Sequence, residues 1–154
     1  MAVPPETIDD LKKAVGSTLG PSDWVELDQA KIDAFADVTG DHQWIHVDPE
    51  RAADSEFHNT IAHGYLTLSL TPMLLDQLNH VRLHATSVNY GLNRLRFLTP
   101  VPAGSRVRLR AKVLEVRDRP PKGLLVTYEI SYELDGSERP ALVAETLSLL
   151  LPPD

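Results

Sequence analysis

The chain has 154 residues, with 15 Lys and Arg against 22 Asp and Glu, which leaves a formal charge of −7 with its six histidines neutral. A general nucleic-acid or anionic-membrane binder needs a basic surface, so this balance speaks against both. There is no cysteine, which excludes disulfides, thiolate metal sites, iron–sulfur clusters and a cysteine nucleophile.

With 42% hydrophobic and 24% charged residues, the composition fits one globular domain spanning residues 1–154. The opening MAVPPETIDDLKK lacks the basic start, apolar segment and cleavage site of a secretory signal. The apolar stretch from Tyr65 to Leu75 is too short and too often interrupted to span a bilayer. A cytoplasmic protein without a membrane partner is the simplest expectation.

Thr7 to Val15 has the pattern of a short amphipathic helix, with Ile8, Leu11 and Val15 on one face and Gly16 and Gly20 around its exit. A strand is expected around Trp24 to Leu27. Asp28 then stands as the N-cap of a helix running to Thr39, and Gly40 ends it by taking the left-handed conformation. Alternation over Trp44, Ile45, His46 and Val47 predicts an extended segment in which Trp44 and His46 share a side. Asp48-Pro49 is a second helix start, covering Glu50 to about Asp54.

After His63-Gly64, the run YLTLSLTPMLLDQLN has apolar residues on nearly every face and predicts the longest and most buried helix. Pro72 removes a backbone donor and predicts a kink near residues 68 to 72. Beyond this point the period changes to two. Four antiparallel strands are expected over Val88 to Leu98, Arg106 to Val116, Val126 to Leu134 and Leu142 to Leu151. A slip of phase predicts a bulge near Val113 and Leu114, and Asp135-Gly136 predicts a turn. The last strand is apolar on both faces and is expected to be central. These elements together predict an α+β fold, a curved antiparallel sheet wrapped around a long central helix.

Chemistry-bearing residues gather between positions 40 and 64. Asp41 supplies a carboxylate, His46 an imidazole, and Gly64 backbone amides at the mouth of the buried helix. Together they are the parts needed for proton transfer beside a carbonyl. Each residue also has a plainer reading: Asp41 as a turn residue, His46 as a satisfied half-buried histidine, Gly64 as a position where no side chain fits.

The segments TGDHQWIHVD and TIAHGYLTLSL resemble the MaoC-like dehydratases, the (R)-specific enoyl-CoA hydratases of the hot-dog fold, and most closely their NodN-type branch. Gly40, Asp41, Ile45, His46, Ala62, His63 and Gly64 match the family motif. Gln43 stands where many members have asparagine, and Trp44 where they have proline. FLTPVPAGSRVRL resembles the family's strand after the helix, so the likeness covers nearly the whole chain.

The resemblance implies a reversible syn addition of water to a trans-2-enoyl thioester. Asp41 and His46 would form the catalytic pair, and the Gly64 amide would hold the carbonyl oxygen. Gln43, Trp44, His63, Arg94 and Arg96 are candidates for substrate contact. The substrate would be an acyl-CoA or acyl carrier protein thioester, no cofactor is required, and a homodimer is expected because a single sheet leaves an exposed edge. A hot-dog thioesterase and a non-catalytic acyl-thioester module are the alternatives.

No metal site is expected. His42 and His46 are four apart and His58 and His63 five apart, but no glutamate completes a zinc-peptidase arrangement. His63 reads as a structural histidine bonded to nearby backbone, and His80 and His84 as surface residues. The basic face Arg106, Arg108, Arg110 and Lys112 reads either as a solvated sheet face or, with Arg94 and Arg96, as a contact for coenzyme A phosphates.

Overall fold

In the computed structural model, which describes residues 3–80 and 86–152, helix α1 (Ile8–Lys13) opens on a reciprocal cap. Thr7 accepts from the Asp10 amide while the Asp10 carboxylate accepts from the Thr7 amide. The helix stops before Val15, which is exposed. Short strands β1 (Thr18–Leu19) and β2 (Val25–Leu27) follow.

Helix α2 (Gln29–Thr39) begins where Asp28 Oδ1 accepts from the Lys31 amide at 2.9 Å. It ends at Gly40, whose φ of 79° requires the glycine. The Asp28 and Gly40 signals thus act where the sequence placed them. Asp28→Ala is expected to lower stability by about 1 kcal/mol through loss of the cap, measurable as a lower urea midpoint with an unchanged denaturant slope.

The segment after Gly40 departs from expectation. Trp44–Val47 is a single helical turn, α3, and not an extended stretch. Residues two apart on a helix point to different sides, so Trp44 and His46 separate. The turn is held from outside, because Gln29 Nε2 donates to the His46 carbonyl at 2.8 Å and the Ile61 amide donates to the Ile45 carbonyl at 2.9 Å. Helix α4 (Pro49–Ala53) starts as read, with Asp48 accepting from the Arg51 amide.

The expected long helix is two helices, α5 (Gly64–Ser69) and α6 (Thr71–Leu78), and α2 with 11 residues is longer than either. The break falls at Leu70, inside the predicted kink region. There the Leu70 amide turns back to the Thr67 and Leu68 carbonyls, and Pro72 falls in the first turn of α6, where its missing donor has no helical partner to lose. Tyr65 and Met73 are 66% and 50% exposed, so the helical pair is wrapped on one side only.

Strands β3 (Thr86–Phe97), β4 (Ser105–Asp118), β5 (Leu124–Leu134) and β6 (Leu142–Leu151) are antiparallel in the order β1-β4-β5-β6-β3, with β2 also paired to β4. Strand β5 is therefore the middle of the sheet, and β6 lies between it and the edge strand β3. Val107, Leu109, Ala111 and Val113 are fully buried on the face toward α6. The register slips between Val113 and Glu115, where the bulge was expected. Two buried phenols fasten α6 to the sheet: Asn79 Nδ2 donates to Tyr128 at 2.8 Å, and Thr71 pairs with Tyr132 at 2.9 Å.

The alternate residues of β4 meet the outer face. Arg106 binds Asp135 at 2.5 Å, Arg108 and Arg110 both bind Glu133, and Arg108 and Arg106 lie over the Trp24 ring. Desolvation pushes the Glu133 carboxyl up, but the bonds from Arg110 and Arg108 outweigh it and hold the group below the ordinary carboxylate value. These cations pair with neighbouring acids on the face turned away from the core, as the solvated-face reading expects. His80 is exposed as expected, and His84 lies outside the described residues.

Candidate active site

The C-terminal end of α2 delivers Asp41 to the same place as His46 and His63. One carboxylate oxygen of Asp41 and one ring nitrogen from each histidine lie within 4.8 Å of one another. Asp41 is exposed, whereas His46 is 6% and His63 2% exposed. Burial is what gives the two imidazoles fixed roles.

His46 Nδ1 lies 2.7 Å from the Ile61 carbonyl. A carbonyl only accepts, so Nδ1 carries the proton and Nε2 presents a lone pair. Desolvation lowers the His46 pKa below the ordinary 6.5; the Ile61 bond and the Asp41 charge oppose this, and neighbouring His63 adds to it. The ring is therefore a neutral acceptor at pH 7.

His63 bonds through its other ring nitrogen. Its Nε2 donates to the Asp41 backbone carbonyl at 2.9 Å, while its buried Nδ1 bonds to nothing among the described residues. The ring stacks on His46 with centroids 3.8 Å apart and planes 24° apart, and Phe35 lies against it at 5.0 Å. His63 thus bonds backbone, as read, but the backbone it holds is that of Asp41. The structural histidine is part of the site.

These three side chains are also where a metal ion would be sought. Near-parallel rings send their in-plane lone pairs side by side, whereas a shared ion needs them to converge. The stack suits proton chemistry better than coordination.

Beside His46 a cavity of about 290 Å³ is lined by Ala62, Gly64, Thr67, Phe97 and Leu142 among others. Gly64 is the first residue of α5, where a backbone amide has no partner within the helix, and no side chain caps that turn. A Cβ at Gly64 would meet the Phe97 ring at 2.8 Å. The glycine therefore serves both of its readings, since it leaves an amide beside the cavity and lets an aromatic wall close over it. Thr67, one turn later, is buried with its hydroxyl unpartnered among the described residues.

The other candidates lie apart. Gln43 stands exposed at the start of α3 without a side-chain bond to it, and Trp44 packs under Arg51 at 4.3 Å. Arg94, with a side chain 85% exposed, pairs with Glu145 at 3.6 Å, and Arg96 bonds the Leu95 carbonyl. None of the four lines the cavity of His46 and Gly64. Phe97 and Gln29, by contrast, shape the site without having been singled out. Both act from more than 15 positions away, where no local pattern marks them.

A curved antiparallel sheet packed on a central helical pair, with an acid and an imidazole at the helix mouth, is the hot-dog architecture of the acyl-thioester dehydratases. The chain belongs to the MaoC-like dehydratase family: residues 10–132 match the MaoC like domain. It is 48% identical over 142 residues to 3-hydroxyacyl-thioester dehydratase Z of Mycobacterium tuberculosis, covering 92% of this chain and 94% of that one. It is 45% identical over 146 residues to Nodulation protein N of Rhizobium leguminosarum bv. viciae, with coverage of 94% and 91%. Its fold matches the (R)-hydratase of A. caviae with a TM-score of 0.72 at 28% identity, over 88% of this chain and 96% of that one. At family level this is hydro-lyase chemistry.

Proposed function

We propose that the protein is an (R)-specific enoyl thioester hydratase, running in reverse as a 3-hydroxyacyl thioester dehydratase. The observation that carries this reading is the neutral, partner-fixed His46 beside Asp41 at a cavity that Gly64 also lines. A water held between the Asp41 carboxylate and His46 Nε2 gives one proton to the imidazole and adds its hydroxyl to the β-carbon. The imidazolium then returns that proton to the α-carbon, so that one water has added across the double bond. Both deliveries come from the same side, which makes the addition syn. The charge that builds on the thioester oxygen is met by the Gly64 amide. The (R) outcome is carried over from the hydratase relatives.

The test is turnover of crotonyl-CoA, followed by loss of the conjugated enoyl absorbance and by a thiol reagent in parallel. A hydratase removes the absorbance and releases no free coenzyme A. Thiol release from saturated acyl-CoA would instead make it a thioesterase, and binding without turnover a non-catalytic module.

The pH dependence follows from His46. A base must be neutral, and its pKa is lowered, so kcat/KM is expected to be flat above neutrality and to fall through an acid limb below 6.5. A limb at or above 6.5 would mean that another group is titrating. Stability has the same sign: the contribution of neutral His46 is complete above 6.5 and declines as pH falls toward the lowered value.

The homodimer belongs to the same proposal. Among the described residues strand β3 pairs only with β6, and Val88, Tyr90, Leu92 and Phe97 along it are exposed. A second copy placed edge to edge would cover that strand and extend the sheet. Sedimentation at micromolar concentration is expected to give a dimer, and a charged substitution at Leu92 to shift it toward monomer.

A further inference from the structure

The inward face of the sheet is aliphatic along most of its length, with Leu109, Ala111, Ile130, Leu142 and Ala144 all buried. At one end the lining changes. Thr146 and Ser148, successive inward positions of β6, are buried, and neither hydroxyl bonds another described group. Tyr128 stands directly opposite Thr146 in the ladder. Its oxygen accepts from Asn79, so the phenol's own proton is left to donate elsewhere. Burial pushes its pKa up to about 12, which keeps that proton in place.

All three residues line a second cavity, about 510 Å³, between α5, α6 and β3. Tyr65 is a wall of this cavity and of the one beside His46. Across from the strands, the hydroxyls of Ser69 and Thr71 are satisfied by the carbonyls of Leu66 and Leu68 at 2.6 and 2.7 Å. The unmet hydrogen-bonding capacity therefore sits on the sheet side. Neither the Thr146 nor the Ser148 hydroxyl is sealed inside the wall; both open onto the cavity, where they can bond whatever fills it.

We infer that this cavity receives the far end of the acyl chain, and that Tyr128, Thr146 and Ser148 bind an oxygen substituent carried there. The preferred substrate is then a keto- or hydroxy-substituted acyl thioester, not a plain alkyl one. The substituent is neutral: Asp76 lies on the lining, and among the described residues no Lys or Arg does, so a carboxylate-ended chain would be repelled. This inference rests on the acyl-thioester reading above.

The test is calorimetric titration with hexanoyl-, octanoyl- and decanoyl-CoA and their ω−1 oxo derivatives. All are saturated and bind without hydration. At the best length, wild type is expected to bind the oxo chain about tenfold more tightly than the plain chain, the range of one or two net hydrogen bonds. The Thr146→Val/Ser148→Ala double variant is expected to bring the two within about threefold by removing those bonds, with its thermal midpoint maintained. A wild type that binds plain chains equally well, or an oxo preference that survives the double variant, would overturn the inference. Crotonyl-CoA hydration reports separately on the hydratase reading, because binding preference without hydration leaves this inference standing and removes that one. Hydration without any preference does the reverse.

Discussion

Asp41→Asn and His46→Gln are each expected to lower kcat for crotonyl-CoA hydration by about a thousandfold, within the range that positioned acid–base groups supply. The cause differs between the two. Asparagine at 41 keeps the size of the side chain but donates where the carboxylate accepted, so the water loses its orienting partner. Glutamine at 46 can still donate to the Ile61 carbonyl, but it offers no basic nitrogen in place of Nε2. Because both groups hold one water, the double variant should lose little more than the worse single one. Asp41 is exposed, and its replacement should barely move the thermal midpoint. Activity within threefold of wild type in either variant would remove that residue from the reaction.

His63→Ala is the second large effect, and it acts at one remove. The ring fills a buried position between His46 and Phe35 and holds the Asp41 backbone at 2.9 Å. Its removal leaves a void and frees the end of α2 that carries Asp41, at a cost of about 2 to 4 kcal/mol in unfolding free energy. The loss of alignment should lower kcat roughly a hundredfold. A purely structural role would stop there. His63 also helps to keep His46 dry and lowers its pKa, so the acid limb of kcat/KM should move up toward 6.5 in this variant. An unshifted limb would mean that His63 supports the fold alone.

What was legible in the sequence was what short-range physics decides. Asp28 and Gly40 act through their own backbone, so the limits of α2 could be read directly. The alternation of β4 and its slip at Val113 are carried by side chains that must face one way or the other. The turn at Trp44–Val47 was not legible, because four residues are too few to separate a helical from an extended period. Its shape is decided by Gln29 and the strand of chain around Ile61, 17 and 15 residues distant from His46. The break between α5 and α6 was half legible, since Pro72 marked the place but not that a new helix would start there. Residue types marked Asp41, His46 and Gly64, yet only the fold brings in Phe97 over Gly64 and stacks His63 on His46. The basic residues of β4 were legible for the same reason as the strand itself, since the alternation that identifies it also turns them to the outer face.

The sharpest test of a water held by one carboxylate and one imidazole on one side of the substrate is stereochemical. Crotonyl-CoA is hydrated in D2O, and the configuration at both new centres of the 3-hydroxybutyryl product is determined. The expected product is the 3R isomer alone, with deuterium and hydroxyl added to the same face. A 3S product, or addition to opposite faces, would contradict the assignment of both steps to Asp41 and His46.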